Sequence, residues 1–579
     1  MAPRAPDRIV RVDLTDERVE SEPVPERWRR LYVGGKGLGA RYLFDELEPG
    51  VDPLGAKNVL GFVLGPLSGY LPGDGRYAAI TKSPLTGTFL DSYAGGEFPA
   101  ALAGSLGDHI GILVTGRASR PVRLDVANGS VSIEPAESWG EDTVETDRRH
   151  PDASVACIGP AGEHEVSFAT IASDEATHHA GRGGAGAVMG SKRLKAVVAR
   201  DDPPTPDSVL ARLRARATDR YRESETGIWQ STSETVETVD FANEAGVLSS
   251  YGWRERGFDD TESVGIEAAR DVATGRERDG PIPGGFRVDT DEGETVPRGA
   301  TAMTLGAGLG IDDFEEISRL GHRCNRLGVD LIEAGNAIAW AIRAADDGFL
   351  DRDLSFGSPS DARDLLFEIG NRSSPLGEAL AAGIDVAAER YGGDQFIPSV
   401  KRQSLPAYDP RATSSMALAY ATSDRGGCHR RARPIERAVF EADWDATRTV
   451  DAIVRAQNER SLRWSLVADD FVGESIDAAE WLDAVGVPYH DLDSTGERIW
   501  NLVRLFNVRE GFDRRDDAFP SELVDGTVDQ DAFESLLDTY YVQRGWDRSG
   551  CPTEQTLSAL DLDSFVDDSL GAKDSTVDE

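Results

Sequence analysis

The sequence predicts an α+β protein, a β-rich first domain (residues 1–204) followed by two mainly helical domains (205–405 and 406–579). Three observations carry this division. As far as Ala199, short β-like runs alternate with Gly- and Pro-rich turns. From Ser208 onward, apolar residues recur instead at helical spacing. Between the two patterns, Asp201–Asp207 (DDPPTPD) combines three Asp and three Pro with no core residue, as a linker would. At roughly 150 residues per domain, a chain of 579 residues holds three or four such units.

In order along the chain, the β-like runs include Ile9–Leu14, Val59–Leu64, Tyr77–Thr81, Ile110–Val114 and Ala196–Ala199. Glycine makes up 61 of 579 residues and is concentrated in the first 200. Helical patterns follow at Ser208–Arg222, Ile311–Leu327, Leu331–Ala345, Thr447–Trp464 and Glu497–Asn507. In the second of these, Phe314, Ile317, Leu320 and Cys324 share one face and Gly328 is a natural stop. Gly257–Glu294 is charged, Gly-rich and aperiodic, and reads as a long surface loop. The acidic tail from Asp561 reads as frayed.

With 62 basic and 102 acidic residues, the formal net charge is −40. Lysine occurs only seven times, so the surface resembles that of proteins from salt-loving cytoplasms, where carboxylates hold water and salt screens their repulsion. A hydrophobic content of 39% with ten Trp and twenty Phe is globular all the same. No long basic run offers a face to displace phosphate counterions, which argues against a nucleic-acid partner. No window of about 18 uncharged apolar residues suits a membrane span, and Met1–Val12 lacks an apolar signal core. Cys157, Cys324, Cys428 and Cys551 are too dispersed for a disulfide framework or a metal knuckle. The expected location is the cytoplasm.

Four Gly-rich clusters carry the candidate chemistry. Gly34–Gly39 (GGKGLG) precedes a helix expected at Ala40–Leu47; it is either an anion-facing row of N–H groups or a tight turn. Arg76 follows Pro72–Gly75, and Tyr93 and Gly95 lie in Asp91–Gly96; an Arg among glycines suits a phosphate, whose oxygens its planar fork can grip, or serves as a surface ion-pair partner. Gly181–Gly186 (GRGGAG) formally fits a dinucleotide fingerprint, but polar residues rather than a buried strand precede it, which leaves a generic anion cradle around Arg182. In Asp424–His429 (DRGGCH), His429 sits beside glycines, and an imidazole there suits proton transfer. His178 and His179 have no chemical partner nearby in sequence.

Taken together these residues resemble the aldehyde ferredoxin oxidoreductase family, the tungsten-pterin enzymes. The likeness also runs through Lys82–Gly87, Cys157–Glu163, Met189–Lys192, Ala407–Arg411 and Phe506–Gly511, and is weakest at about 205–300. The resemblance implies one tungsten or molybdenum held by the dithiolenes of two pterins, their phosphates bridged by magnesium, with no direct side-chain ligand to the metal. It implies that Arg76, Gly95, Arg182 and Gly183 line the pterins, with Tyr93 where the family usually has Asn. Asn325–Asp330 resembles a D-x-x-G-L-D pterin loop, so Asn325, Gly328, Val329 and Asp330 join the cofactor-binding set, as does Arg425, and His429 falls beside the metal.

Two departures stand out. The family's four [4Fe–4S] cysteines align with Arg276–Arg287 and Trp464–Asp469, where no Cys stands, so the cluster is expected to be absent. A metal-side Glu aligns with Ala300. The reaction implied is oxidation of a small aldehyde to a carboxylic acid, with His429 as general acid/base. The acceptor would be a ferredoxin or a cluster-bearing partner subunit. The alternative is a non-catalytic paralogue that binds pterin or metal. Homodimers are common in the family, and no sequence feature here establishes one.

Overall fold

The computed structural model describes residues 5–438, 444–520, 523 and 529–565. Its first 200 residues build two six-stranded mixed sheets. The first contains β1 (Arg8–Asp13), β2 (Arg18–Pro23), β3 (Leu60–Val63), β4 (Tyr77–Lys82), β5 (Phe89–Ala94) and β6 (His109–Thr115), in the order β2-β1-β6-β3-β4-β5. The second contains β7 (Val122–Ala127), β8 (Ser130–Pro135), β9 (Ser154–Cys157), β10 (Ile171–Ser173), β11 (His178–Ala180) and β12 (Leu194–Ala199), in the order β11-β10-β9-β12-β7-β8. Each has one parallel pair, β1 with β6 and β12 with β7; the remaining pairs are antiparallel. Strands β4 and β5 are buried along their whole length; β4 accordingly reads as a mostly apolar run rather than an alternating one, whereas β5 also buries Asp91 and Ser92. Helix Gly35–Glu46 packs on β4, and β10 and β11 pack on β5.

That helix starts within the glycine run, about five residues before its expected start. The glycines are there for closeness: a Cβ on Gly37 would lie 2.2 Å from the Tyr32 carbonyl oxygen, and one on Gly39 2.5 Å from Ile80. The glycines of Gly34–Gly39 thus serve packing.

The long helices of the remainder include Ser208–Glu223, Phe314–Leu327, Leu331–Asp346, Ala446–Leu466 and Leu492–Arg509. Each begins after an Asp (Asp207, Asp313, Asp330, Asp445, Asp491) whose carboxylate accepts backbone N–H groups of the first turn. Some of the acidity is therefore capping, where negative charge also complements the helix dipole.

The loop expected over 257–294 is instead an ordered unit. It holds helix Ile266–Val272 and a three-stranded antiparallel sheet, Ala273–Arg276, Phe286–Thr290 and Gly293–Thr295. Ile266, Ala269, Phe286 and Val288 are buried. Strands of three to five residues with one or two core-facing side chains leave too short a period to recognise in sequence. Of the tail, residues 566–579 lie outside the described residues; Leu562 and Phe565 are buried, the latter edge-on to Phe44 at 4.8 Å.

Helices Ala446–Leu466 and Leu492–Arg509 serve two cores. Trp464, Ile499, Leu502 and Phe506 pack with the first sheet, whereas Val450, Ile453 and Trp500 join the helical core. This bridging brings residues 425–433 and 460–471 against Arg76 and Tyr93. No described helix is long and apolar enough to cross a membrane.

Candidate active site

At that junction lies a cavity of about 390 Å³, walled by segments from both sheets and from the helical part of the chain. Arg76, Tyr93, Gly95, Arg182, Asn325, Val329, Asp330, Arg425 and His429 all line it, although 353 residues separate the first from the last. Gly183 and Gly328 stand one residue behind the wall, in left-handed backbone with φ of +81° and +73°. In a chain of net charge −40 the wall carries seven arginines against five carboxylates.

The arginines divide by what holds them. Arg182, itself at φ +66°, directs Nη1 to Asp330 (3.3 Å) and Glu333 (3.2 Å), and Nη2 to the carbonyls of Ser404 (2.5 Å) and Gly427 (2.7 Å). Its four Nη hydrogens are thereby taken up by protein acceptors. Arg182 lines the cavity as expected, and through these bonds it also ties the first domain to the helical part. Asp330 is similarly engaged. It accepts Arg182 N–H (2.9 Å) and Glu333 N–H (2.8 Å) as well as the guanidinium, three of about four acceptor sites. Burial and the neighbouring Asp330 push the Glu333 carboxyl up to about 7 against the pull of Arg182. Tyr93 donates its hydroxyl to Asp91 (2.6 Å) and stacks on Trp464 at 5.3 Å. Asn325 ends helix Phe314–Leu327, its carbonyl accepting from Thr143 (2.9 Å).

Arg76, Arg425 and His429 are held more loosely. Arg76 Nη2 lies 3.6 Å from Asp469 and 4.0 Å from Asp470, and its buried Nε has no partner. Arg425 donates to the Asp91 carbonyl (2.6 Å) and to Cys428 Sγ (3.3 Å), and its Nε is likewise orphaned. His429 leans on the Tyr408 ring at 5.5 Å, with Nδ1 buried and unpartnered. Unpaired buried donors are costly, so three converging on one cavity point to a ligand that completes them. Burial, then Arg433, Arg430, Arg182 and Arg460, holds the imidazole well below its ordinary pKa. Cys428 beside it is pushed up by burial, but Arg425 and Arg431 outweigh this and hold the thiol down to about 7.

Sequence reading missed a second histidine. His178 lines the same cavity, and its Nε2 meets Glu277 at 2.9 Å, a partner 99 residues away. Burial opposes its charged form, but Glu277 and Asp74 raise its pKa. Glu277 also binds Arg298 Nη2 (2.8 Å), Arg298 Nη1 binds Glu234 (3.0 Å), and Arg278 pairs with Asp74. No local pattern marks these residues, because the hairpin carrying Glu277 reached the cavity only through tertiary packing. His179 is turned to Thr170 (2.8 Å) and the Ala176 carbonyl, and burial lowers its pKa to about 4. Ala300 lines the cavity, followed by one turn of π-helix, Ala302–Gly306, a form enriched at functional sites.

Comparison with known proteins agrees with the architecture. Residues 9–201 match the aldehyde ferredoxin oxidoreductase N-terminal domain, and residues 212–562 match domains 2 and 3 of the same family. A tungsten-containing aldehyde ferredoxin oxidoreductase of Pyrococcus abyssi is 31% identical, over 96% of this chain and 99% of that one. The WOR-like subunit of an aliphatic sulfonate oxidoreductase from Pyrococcus furiosus is 27% identical, over 96% of each. Among solved structures, the active-site complex BamBC of benzoyl coenzyme A reductase superposes with a TM-score of 0.83 over 98% of both chains at 23% identity, a likeness of fold. The chain belongs to the aldehyde ferredoxin oxidoreductase family.

Proposed function

We propose that the protein is a tungsten- or molybdenum-pterin oxidoreductase that oxidises an aldehyde to a carboxylic acid. The observation that carries this is the set of unpartnered buried donors, Arg76 Nε, Arg425 Nε and His429 Nδ1, facing one cavity in a chain of this family. A guanidinium-rich wall with vacant donors fits a phosphate-bearing group. Arg76, Arg425 and the backbone around Gly95 and Gly183 would hold the pterins and their phosphates, with magnesium as a further counter-charge. When bound, the metal–pterin group takes the two electrons released as RCHO + H₂O becomes RCOOH + 2H⁺ + 2e⁻.

The chain's own part is binding, charge and protons. His429, neutral at pH 7, accepts a proton from the attacking water. Its lowered pKa means that the proton is readily passed on. An anion bound among the surrounding arginines offsets their repulsion and raises the imidazole toward the working range.

We also propose that no [4Fe–4S] cluster is present. Cys428 lies at the cavity, Cys157 in β9 and Cys324 in the helical core. Where the alignment expects cluster ligands, Glu277, Arg278 and Asp469 form ion pairs with His178, Asp74 and Arg76. The acceptor would then dock near the pterin, or be a partner subunit that carries the cluster.

Elemental analysis of W, Mo and Fe, paired with aldehyde-dependent dye reduction, tests this reading. We expect W or Mo without stoichiometric Fe, and loss of dye reduction in His429→Ala with metal retained. Absence of both W and Mo overturns the assignment, and one cluster's worth of iron overturns the acceptor proposal. Metal without aldehyde-dependent reduction, in the wild type and His429→Ala alike, favours a non-catalytic pterin-binding paralogue.

A further inference from the structure

Helix Ala446–Leu466 delivers Arg460 to the cavity wall, where it makes no hydrogen bond or ion pair with any described residue. Its surroundings add to its charge. Arg430 and Arg433 are close enough to repel it, and burial first, then these two, brings the guanidinium down to about 10. The local acid that favours its charge, Asp470, is already shared: it pairs with Arg430, lies 4.0 Å from Arg76, and accepts the Trp464 indole N–H at 3.1 Å. Arg433 reaches Glu436 at 2.9 Å. Arg430 and Arg460 therefore depend, with Arg76, on the one carboxylate of Asp470, which is costly in a partly buried wall unless an anion arrives.

Two anions could supply it, the phosphate of the cofactor or a charged tail on the substrate. Two features favour the substrate. Arg433 and Arg460 line the same cavity as His429, the group assigned to the reacting end. Trp229, Gln230 and Thr238 also line this cavity, and they come from the stretch in which the family likeness is weakest, where a substrate pocket rather than a shared cofactor cradle is expected.

We propose that Arg460 and Arg433 form a subsite for the carboxylate or phosphate tail of the substrate, which makes that substrate an anionic aldehyde. This rests on the aldehyde-oxidising reading above and specifies its substrate class. A planar guanidinium suits either oxyanion.

Matched pairs on the metal-loaded enzyme test it: succinic semialdehyde against butyraldehyde, and glyceraldehyde 3-phosphate against glyceraldehyde. In the wild type, kcat/KM should favour the charged member of at least one pair by about tenfold or more, the size of one charge-assisted hydrogen bond. The pair showing the preference tells carboxylate from phosphate. Arg460→Gln should reduce the preference about fivefold or more, with Arg460→Lys recovering part of it. Equal kcat/KM within both pairs, or a preference unchanged in Arg460→Gln, overturns the proposal. So does loss of W, Mo or pterin from Arg460→Gln, which would assign the residue to the cofactor phosphate instead.

If no aldehyde is oxidised, the reaction assignment fails, and calorimetric titration with succinate and inorganic phosphate decides the subsite separately. Binding of either anion that is lost in Arg460→Gln supports it, and no binding of either to the wild type overturns it.

Discussion

Arg430 and Arg431 are adjacent in sequence and belong to two different electrostatic regions. Arg431 is fully buried, with Nε on Asp424 at 2.6 Å, a second nitrogen on Asp91, and its guanidinium over the Trp464 ring at 4.4 Å. Lys36, equally buried, joins both carboxylates at 2.5 and 3.3 Å. Two cations thus meet two anions in a closed cluster that joins the first sheet, the glycine-run helix and the 424–431 loop. One residue earlier, Arg430 belongs to the cavity wall with Arg433 and Arg460, where positive charge is left over. In the first region charge is neutralised by the chain itself and holds domains together; in the second several guanidinium groups share Asp470 at a cavity. Arg182 lines the cavity but belongs, by its bonds, with the first.

The largest test of this contrast removes a carboxylate from the closed cluster. Asp424→Asn leaves Lys36 and Arg431 with half their counter-charge in a buried site, and should cost about 3–5 kcal/mol of stability. Denaturant midpoints on metal-free protein measure it. A loss below about 1 kcal/mol would erase the distinction.

Acid titration sharpens the contrast next. Glu333 is raised to about 7 in the folded protein, from about 4.3 in an unfolded chain. Between those values the native state binds more protons than the unfolded one, so this group's contribution to stability falls as pH rises toward 7 and is level above it. Glu333→Gln does not titrate. Relative to wild type it should therefore gain, on the order of 1–3 kcal/mol, between pH 4.5 and 7.5. Asp424 behaves oppositely: burial works against it, but Arg431 and Lys36 hold its pKa well below the ordinary range. Its contribution is present above pH about 4 and lost below, so the Asp424→Asn deficit should shrink on acidification. Parallel denaturation curves at several pH values compare the two signs.

The smallest stability effect belongs to the ligand-facing region. Arg76, loosely paired at 3.6 and 4.0 Å, should lose less stability in Arg76→Gln than Asp424→Asn loses, while tungsten or molybdenum content falls severalfold. A large stability loss with metal retained would move Arg76 into the structural class.

Much of this was legible in the chain. The change from strand-like to helical period, five of the long helices and the convergence of Arg76, Arg425 and His429 followed from local pattern and resemblance. The short strands of 273–295 did not, because so few of their side chains face a core. Nor did His178 with Glu277, or Arg460 with Arg433, because neither pair shares a local motif.

The sequence by itself determined where glycines allow close approach, where Asp residues cap helices, and which arginines stand among glycines. Tertiary structure decided what each charge is for. A guanidinium is the same group at 182, 430 and 431, and sequence records only that it is present. Whether it is neutralised by a carboxylate, tied to carbonyls or left facing a cavity depends on which distant segments fold against it, since Coulomb and desolvation energies depend on distance and burial, not on position in the chain.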